Sequence, residues 1–120
     1  MRSEKCNLRL FTTKSKLVPV HDFIQSLDVA MQAKAYRVIL LLANSGFELR
    51  EPYSKALGDG IFELRIKAAN NISRILYFFV HGKKIILTNG FIKKSQKTPS
   101  SVVMLAKKYR LDYLYRNGGE

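Results

Sequence analysis

The sequence predicts one α+β domain in which a helical hairpin and a C-terminal helix pack on a twisted antiparallel sheet. Three observations favour this class. Apolar residues recur at helical spacing between residues 19 and 45, three strand-like runs follow between residues 61 and 91, and the pair Thr98-Pro99 has the form of a helix start. The predicted order of elements is β-α-α-β-β-β-α. A chain of 120 residues is long enough to bury one core, so we expect a single domain over residues 1–120.

The first half of the chain predicts a strand and two helices. Residues 7 to 12 alternate between apolar and polar side chains, which is typical of a short strand. A helix is expected from Pro19 onwards, because four apolar residues at i, i+3, i+4 and i+7 form one face. A second helix is expected from Val29 to Ser45, with Asp28 as its N-cap and Gly46 at its end. The short link between the helices predicts a hairpin that covers one face of a sheet.

The second half predicts an antiparallel meander and a final helix. Residues 57 to 60 are typical of a turn, and residues 61 to 67 alternate apolar with charged side chains, which predicts one core face and one charged face. Residues 72 to 80 are almost wholly apolar, as expected of a central strand, and residues 84 to 91 complete the meander. The last helix is expected to begin with Thr98 as its cap and Pro99 in its first turn.

The charge of the chain is unevenly distributed. The net charge of +12 comes from 21 basic and 9 acidic side chains, and residues 61 to 120 hold twelve basic against three acidic ones. No carboxylate occurs between Glu63 and Asp112, although eleven cations lie there. Such a field attracts polyanions, so the expected partner is a nucleic acid or an acidic protein. The alternative is a basic surface that serves solubility alone.

Other features of the composition limit the class of protein. Cys6 is the single cysteine, which excludes an intramolecular disulfide and a cysteine-based zinc site. The longest apolar run, residues 38 to 43, is too short to cross a bilayer, and no signal peptide is apparent. We therefore expect a cytoplasmic protein without membrane contact. No cluster has metal-ligand spacing, so neither a metal nor another cofactor is expected.

Arg74 is the most unusual residue of the predicted central strand. An arginine seldom lies in such an apolar run without a partner. It can form a structural ion pair with Glu63, or it can hold a phosphate group beside Arg65. RNA carries its own nucleophile, the 2′-hydroxyl, so side chains that stabilise charge on the reacting phosphate can promote cleavage without a metal.

The sequence therefore predicts a cationic site for RNA. Its catalytic residues are expected to be Arg65, Arg74, Lys93, Lys94 and Tyr77. Its RNA-binding residues are expected to include Lys67, Lys83, Lys84, Phe91 and Lys97. Tyr77 or a lysine with a lowered pKa would transfer protons. The alternatives are that Tyr77 and Phe91 are core residues and that the segment FIKKSQKTP, residues 91 to 99, is a solvated loop.

Three stretches together resemble the phage-derived, HigB-like (Gp49-like) branch of the RelE/ParE toxin superfamily. They are LGDGIFELR at residues 57–65, SRILYFF at 73–79 and NGFIKKSQKTP at 89–99, and the resemblance extends over about residues 18 to 116. It implies a RelE-like fold and the toxin of a type II toxin-antitoxin system. It also implies a ribosome-dependent endoribonuclease, or mRNA interferase, that cuts messenger RNA without metal and so inhibits translation and growth.

The resemblance also assigns residues and partners. Arg65 and Arg74 match arginines of the family, and Lys55 matches a further charged active-site residue, which we add to the RNA-binding set. Several relatives end the last strand with a histidine or tyrosine, where this chain has Phe91 and lysines. The implied partners are mRNA on the ribosome and a HigA-like helix-turn-helix antitoxin that also binds operator DNA.

Two questions stay open at the level of sequence. An antitoxin can insert acidic side chains into the basic site, or it can dock on the helical hairpin, where Leu41 is expected to be exposed; we favour the hairpin. The alternative function is a non-catalytic basic module that binds RNA or a partner protein. The same lysines serve both functions.

Overall fold

The computed structural model of the protein describes residues 6–94 and 97–118 and confirms the α+β class. Its five strands form one sheet in the order β1-β5-β4-β3-β2. They are β1 (Asn7–Leu10), β2 (Ser54–Gly58), β3 (Ile61–Ala68), β4 (Asn71–Val80) and β5 (Lys84–Ile92). The predicted meander is β3-β4-β5, and every pair within it is antiparallel. Two features were not predicted: β2 occupies part of the expected turn, and β1 joins β5 in parallel, which makes the sheet mixed.

Two helices cover one face of the sheet, as predicted. Helix α1 spans Pro19–Gln25 and α2 spans Val29–Ser45. The Asp28 carboxylate caps α2 by accepting a hydrogen bond from the Met31 backbone N–H at 2.8 Å, and Gly46 ends the helix with a positive φ of 56°. The main core lies between these helices and the sheet, and it includes Ile24, Val38, Leu42, Leu64, Ile75 and Leu87.

Helix α3 (Ser100–Arg116) covers part of the opposite face of the sheet. A second apolar cluster lies beneath it and contains Phe11, Ile61, Leu76, Phe78, Ile86 and Ala106. The helix begins one residue after Pro99, and no side chain caps it. The predicted cap is therefore wrong, because the Thr98 hydroxyl donates its hydrogen bond to Glu63 instead. In the described parts of the chain, no helix is both long and apolar enough to cross a membrane.

A bulge in β5 changes which side chains face α3. Leu76 pairs with Asn89 while the next residue of β4 pairs with Leu87, so Thr88 is an extra residue in β5. Side chains alternate between the two faces of a strand, and one extra residue therefore reverses the alternation beyond it. Asn89 and Phe91 consequently lie on the face of Arg74, and the Asn89 side chain donates to the Val102 carbonyl of α3 at 3.2 Å.

Candidate active site

Two arginines lie directly opposite each other on adjacent strands. Arg65 of β3 pairs with Arg74 of β4, and both side chains point to the face that α3 partly covers. Arg74 is only 5% exposed. Like charges in this arrangement repel each other, and a buried guanidinium requires a partner. The site must therefore contain, or receive, an anion.

Glu63 supplies one negative charge between these arginines. Its Oε2 lies 3.3 Å from Arg65 Nε and 3.7 Å from Arg74 Nε, and its Oε1 accepts a hydrogen bond from the Thr98 hydroxyl at 2.5 Å. Glu63 is 3% exposed, so the charged face of β3 is buried at this residue. The segment that leads into α3 is responsible, because Thr98 packs over the carboxylate. Arg65 also pairs with the exposed Glu51 at 3.1 Å.

Arg74 remains incompletely paired. Among the described residues, its buried Nε has no hydrogen-bond partner, and the 3.7 Å separation from Glu63 is too long for one. Burial lowers the pKa of Arg74, Glu63 opposes this shift, and the charge of Arg65 adds to it. Arginine nevertheless stays protonated in proteins. A second anion at this guanidinium would satisfy a donor that the protein leaves open.

Lys93 belongs to the same electrostatic cluster. It follows β5 directly, and its backbone N–H donates to the Ile72 carbonyl at 2.9 Å. Partial burial lowers the pKa of Lys93, and the positive charges of Arg74 and Arg65 lower it further, while Glu63 acts in the opposite direction. Lys55, opposite Glu63 on β2, adds to the lowering of the pKa. Lys93 therefore loses its proton more readily than an ordinary lysine.

Two grooves meet at Arg65. The first, here called the α3 groove, lies between the sheet and the start of α3, and it is lined by Lys55, Glu63, Arg65, Lys97, Thr98 and Lys107. The second, here called the edge groove, is lined by Lys34, Tyr53, Arg65, Lys67 and Arg74. Arg74 lines the edge groove and is absent from the lining of the α3 groove.

The structure separates some of the predicted residues from this cluster. Tyr77 points to the opposite face of the sheet, is 1% exposed and shares a hydrogen bond with Ser54. Burial raises the pKa of Tyr77, and the hydrogen bond with Ser54 opposes this shift. The hydroxyl therefore keeps its proton at neutral pH. Lys83 and Lys84 lie at the other end of β5. A strand rises about 3.3 Å per residue, which places Lys84 roughly 20 Å from Phe91.

The remaining predicted residues lie near the arginines. Phe91 pairs with Arg74 and packs, half-buried, against the cluster under α3, in agreement with the core alternative. Lys94 is exposed just beyond β5. Ser95 and Gln96 of the same segment lie outside the described residues. Lys34 and Tyr53 also line the edge groove, but the sequence did not predict them as site residues. No local sequence pattern indicates that a lysine of α2 lies near the residue that precedes β2.

The carboxylates near the arginines do not form a metal site. Within residues 6–94 and 97–118, there is no group of three or more His, Cys, Asp or Glu side chains suited to hold a metal ion. Two anionic groups, Glu63 and Glu51, contact Arg65. Glu63 also pairs with Arg74, lies opposite Lys55 in the sheet and acts on the pKa of Lys93. The arrangement suits the binding of an anion.

Comparison with known proteins relates the chain to one family. The family model described as "Phage derived protein Gp49-like (DUF891)" matches residues 22–110, which is 89 of the 120 residues. The matched span contains the last four residues of α1, all of α2, β2 to β5 and most of α3, and with them both arginines and Lys93. No curated protein matches the chain.

Proposed function

The chain belongs to the Gp49-like family of phage-derived proteins, a family of the RelE/ParE-like toxin type, and on this premise we propose that it is a toxin that cleaves messenger RNA. The observation that carries the proposal is Arg74, which is buried, opposite Arg65, and without a hydrogen-bond partner at Nε among the described residues. A phosphate group provides the missing acceptors. Such a toxin implies an antitoxin partner.

The proposed reaction uses the 2′-hydroxyl of the substrate. This oxygen attacks the adjacent phosphorus, the bond to the 5′-oxygen of the next nucleotide breaks, and the products carry a 2′,3′-cyclic phosphate and a 5′-hydroxyl. Negative charge grows on the non-bridging oxygens during the attack. Arg74 and Arg65 are the donors for that charge, and each preorganised donor of this kind contributes about 3 kcal/mol or more to the transition state.

Lys93 is the proposed proton acceptor. A lysine that has a lowered pKa holds a larger neutral fraction at a given pH, and the neutral amine can take the proton of the 2′-hydroxyl. The same ammonium, once formed, can donate a proton to the leaving 5′-oxygen or release it to solvent. Tyr77 has no part in this proposal, because it lies on the other face of the sheet.

We assign the protein more finely to the HigB-like branch, as a ribosome-dependent mRNA interferase neutralised by a HigA-like helix-turn-helix antitoxin. The basic α3 groove and the edge groove support binding of a single RNA strand across Arg65. Through its antitoxin the protein would be linked to operator DNA.

The decisive experiment follows cleavage of a defined mRNA on purified ribosomes by the EDTA-treated and dialysed protein. We expect cleavage in the ribosomal A site that leaves a 2′,3′-cyclic phosphate. An mRNA with a single 2′-deoxynucleotide at the cleaved position should resist, and the Arg74→Ala variant should be inactive on both. Cleavage of the deoxy substrate, or cleavage restored only by adding a transition metal, would show that the mechanism is wrong.

The second candidate is a non-catalytic basic module that binds RNA or a partner. Phe91 favours this candidate, because it lies opposite Arg74 at the end of β5 and its side chain can neither accept nor donate a proton. Binding of the mRNA without any cleavage, together with normal growth during expression, would select this candidate.

A further inference from the structure

The edge groove lies where the outermost strand of the sheet changes from β2 to β3. The pairing of β2 with β3 stops at Ser54, opposite Leu64, and the Arg65 backbone N–H then donates to the Tyr53 carbonyl at 2.7 Å. In the described chain, the end of β3 beyond Arg65 is therefore the free edge of the sheet. Lys34 of α2 and Tyr53 flank this edge and, with Lys67, enclose a groove beside the arginines.

The charges in this groove all have the same sign. Four cationic side chains line it, Lys34, Arg65, Lys67 and Arg74, and no carboxylate is among the described residues of its lining. The α3 groove, in contrast, contains Glu63. Arg74, whose buried Nε has no hydrogen-bond partner among the described residues, also lines the edge groove. Each groove is lined by four cationic side chains, but the α3 groove also contains the Glu63 carboxylate, so the net positive charge of the lining is greater in the edge groove.

Tyr53 gives the groove an aromatic surface. Its side chain is 42% exposed, and among the described residues it has no ring partner. Its backbone is held on both sides, since its N–H donates to the Arg50 carbonyl at 3.0 Å and its carbonyl accepts from Arg65. A fixed backbone, an accessible ring and neighbouring cations are the combination with which proteins bind single-stranded nucleic acid, whose bases stack on aromatic side chains.

We propose that the edge groove is a nucleotide subsite for single-stranded RNA. The base next to the phosphate held by Arg65 and Arg74 stacks on Tyr53, and Lys34 and Lys67 bind the phosphates that follow. The inference rests on the proposed function, because it takes RNA to be the ligand of the arginines. It adds Tyr53 as a binding residue, and it states that the RNA strand reaches the arginines through the edge groove.

The test measures equilibrium binding of a short fluorescent single-stranded RNA over a range of salt concentrations. Tyr53→Ala is expected to weaken binding by roughly tenfold to a hundredfold, as for the loss of one stacked base, whereas Tyr53→Phe should bind like the wild type. Tyr36→Ala is the matched control, because Tyr36 is 50% exposed on α2 and outside the groove. Thermal melting of each variant checks that it is folded.

A second arm tests the stacking itself. One nucleotide of the RNA is replaced by an abasic residue, at each position in turn around the cleavage site. At one position the abasic RNA should bind the wild type more weakly, and Tyr53→Ala should cause no further loss there. Lys34→Ala and Lys67→Ala should each reduce the salt slope by about 0.7, while Lys108→Ala on α3 should leave it unchanged.

The outcomes separate the subsite from the proposed function. Wild-type protein that neither binds nor cleaves RNA would overturn both. Wild-type protein that binds RNA, with Arg74→Ala weakened and Tyr53→Ala unaffected, would overturn the subsite alone. If Tyr53→Ala weakened the binding of intact RNA and of every abasic RNA by the same factor, Tyr53 would not stack a base.

Discussion

Arg74 Nε lies 3.7 Å from Glu63 Oε2, beyond hydrogen-bond distance, although both side chains are buried. The same oxygen is nearer to Arg65 Nε, at 3.3 Å, and the other carboxylate oxygen is bonded to Thr98. The two carboxylate oxygens of Glu63 thus accept hydrogen bonds from Arg65 and Thr98, and Arg74 Nε interacts with Glu63 by Coulombic attraction alone. This unequal sharing leaves a guanidinium N–H without a hydrogen-bond partner among the described residues.

We predict that Arg74→Ala abolishes toxicity without unfolding the protein. Removal of one preorganised donor should reduce cleavage by roughly a hundredfold to a thousandfold. Folding should persist, because Glu63 keeps its contacts with Arg65 and Thr98. Cleavage on ribosomes and thermal melting are measured together, with the exposed Arg37→Ala as control. A fall in melting temperature that accounts for the lost activity would instead assign Arg74 a structural role.

Glu63→Gln should have opposite effects on stability and on anion binding. The substitution leaves two arginines and Lys93 without their buried counter-ion, and loss of one partner from a buried ion pair costs on the order of 3 kcal/mol. The melting temperature should fall, and added phosphate should restore part of it by binding to the arginines. RNA affinity should rise at the same time. Unchanged phosphate stabilisation relative to the wild type would argue against a shared anion site.

Lys93 should give cleavage a characteristic pH dependence. Its folded pKa is lowered from 10.5, so the neutral amine becomes abundant at a lower pH than in an ordinary lysine. The rate should rise with pH through that lowered pKa and then level off. Between the lowered pKa and 10.5 the unfolded chain binds more protons, so stability should also rise with pH in this window. Lys93→Arg should remove the rise in rate, and a rise that persists would mean another group is the base.

Tyr77→Phe should affect stability but not activity. The change removes the hydrogen bond with the buried Ser54, and a buried polar group left unpaired costs about 1–3 kcal/mol. Cleavage should match the wild type, because the hydroxyl lies on the face of the sheet opposite Arg74. Tyr115→Phe, on the exposed side of α3, is the control and should change neither quantity. Loss of cleavage in folded Tyr77→Phe would return Tyr77 to the catalytic set.

Antitoxin binding should depend weakly on salt. The expected exposure of Leu41 is wrong, since this residue is half-buried, but Val29, Tyr36 and Leu40 form an exposed apolar stripe on α2. Docking on this stripe should give a dissociation constant that is nearly independent of salt, and Leu40→Lys should weaken it. A steep salt dependence would favour acidic side chains inserted into the grooves around Arg65. Isothermal calorimetry at several salt concentrations measures the difference.

Much of the architecture follows from local signals in the sequence. The bounds of α2 were predicted correctly because its cap, its apolar spacing and the closing Gly46 all act within the helix. Alternation and turns likewise predicted β3, β4 and β5 in order. Arg74 could be predicted as a site residue because an arginine is unusual in an otherwise apolar strand. This feature can be recognised from the sequence alone.

Only the tertiary structure decided how the site is assembled. Thr98 was predicted to cap a helix and instead bonds Glu63, thirty-five residues away in the chain. The bulge at Thr88 depends on the pairing of β4 with β5, and it turns Asn89 and Phe91 to the face of Arg74. Lys34 and Tyr53 line a groove at a sheet edge that exists only because β2 begins at Ser54. Each of these contacts joins segments far apart in sequence, and no local period or propensity encodes which distant groups a folded chain brings together.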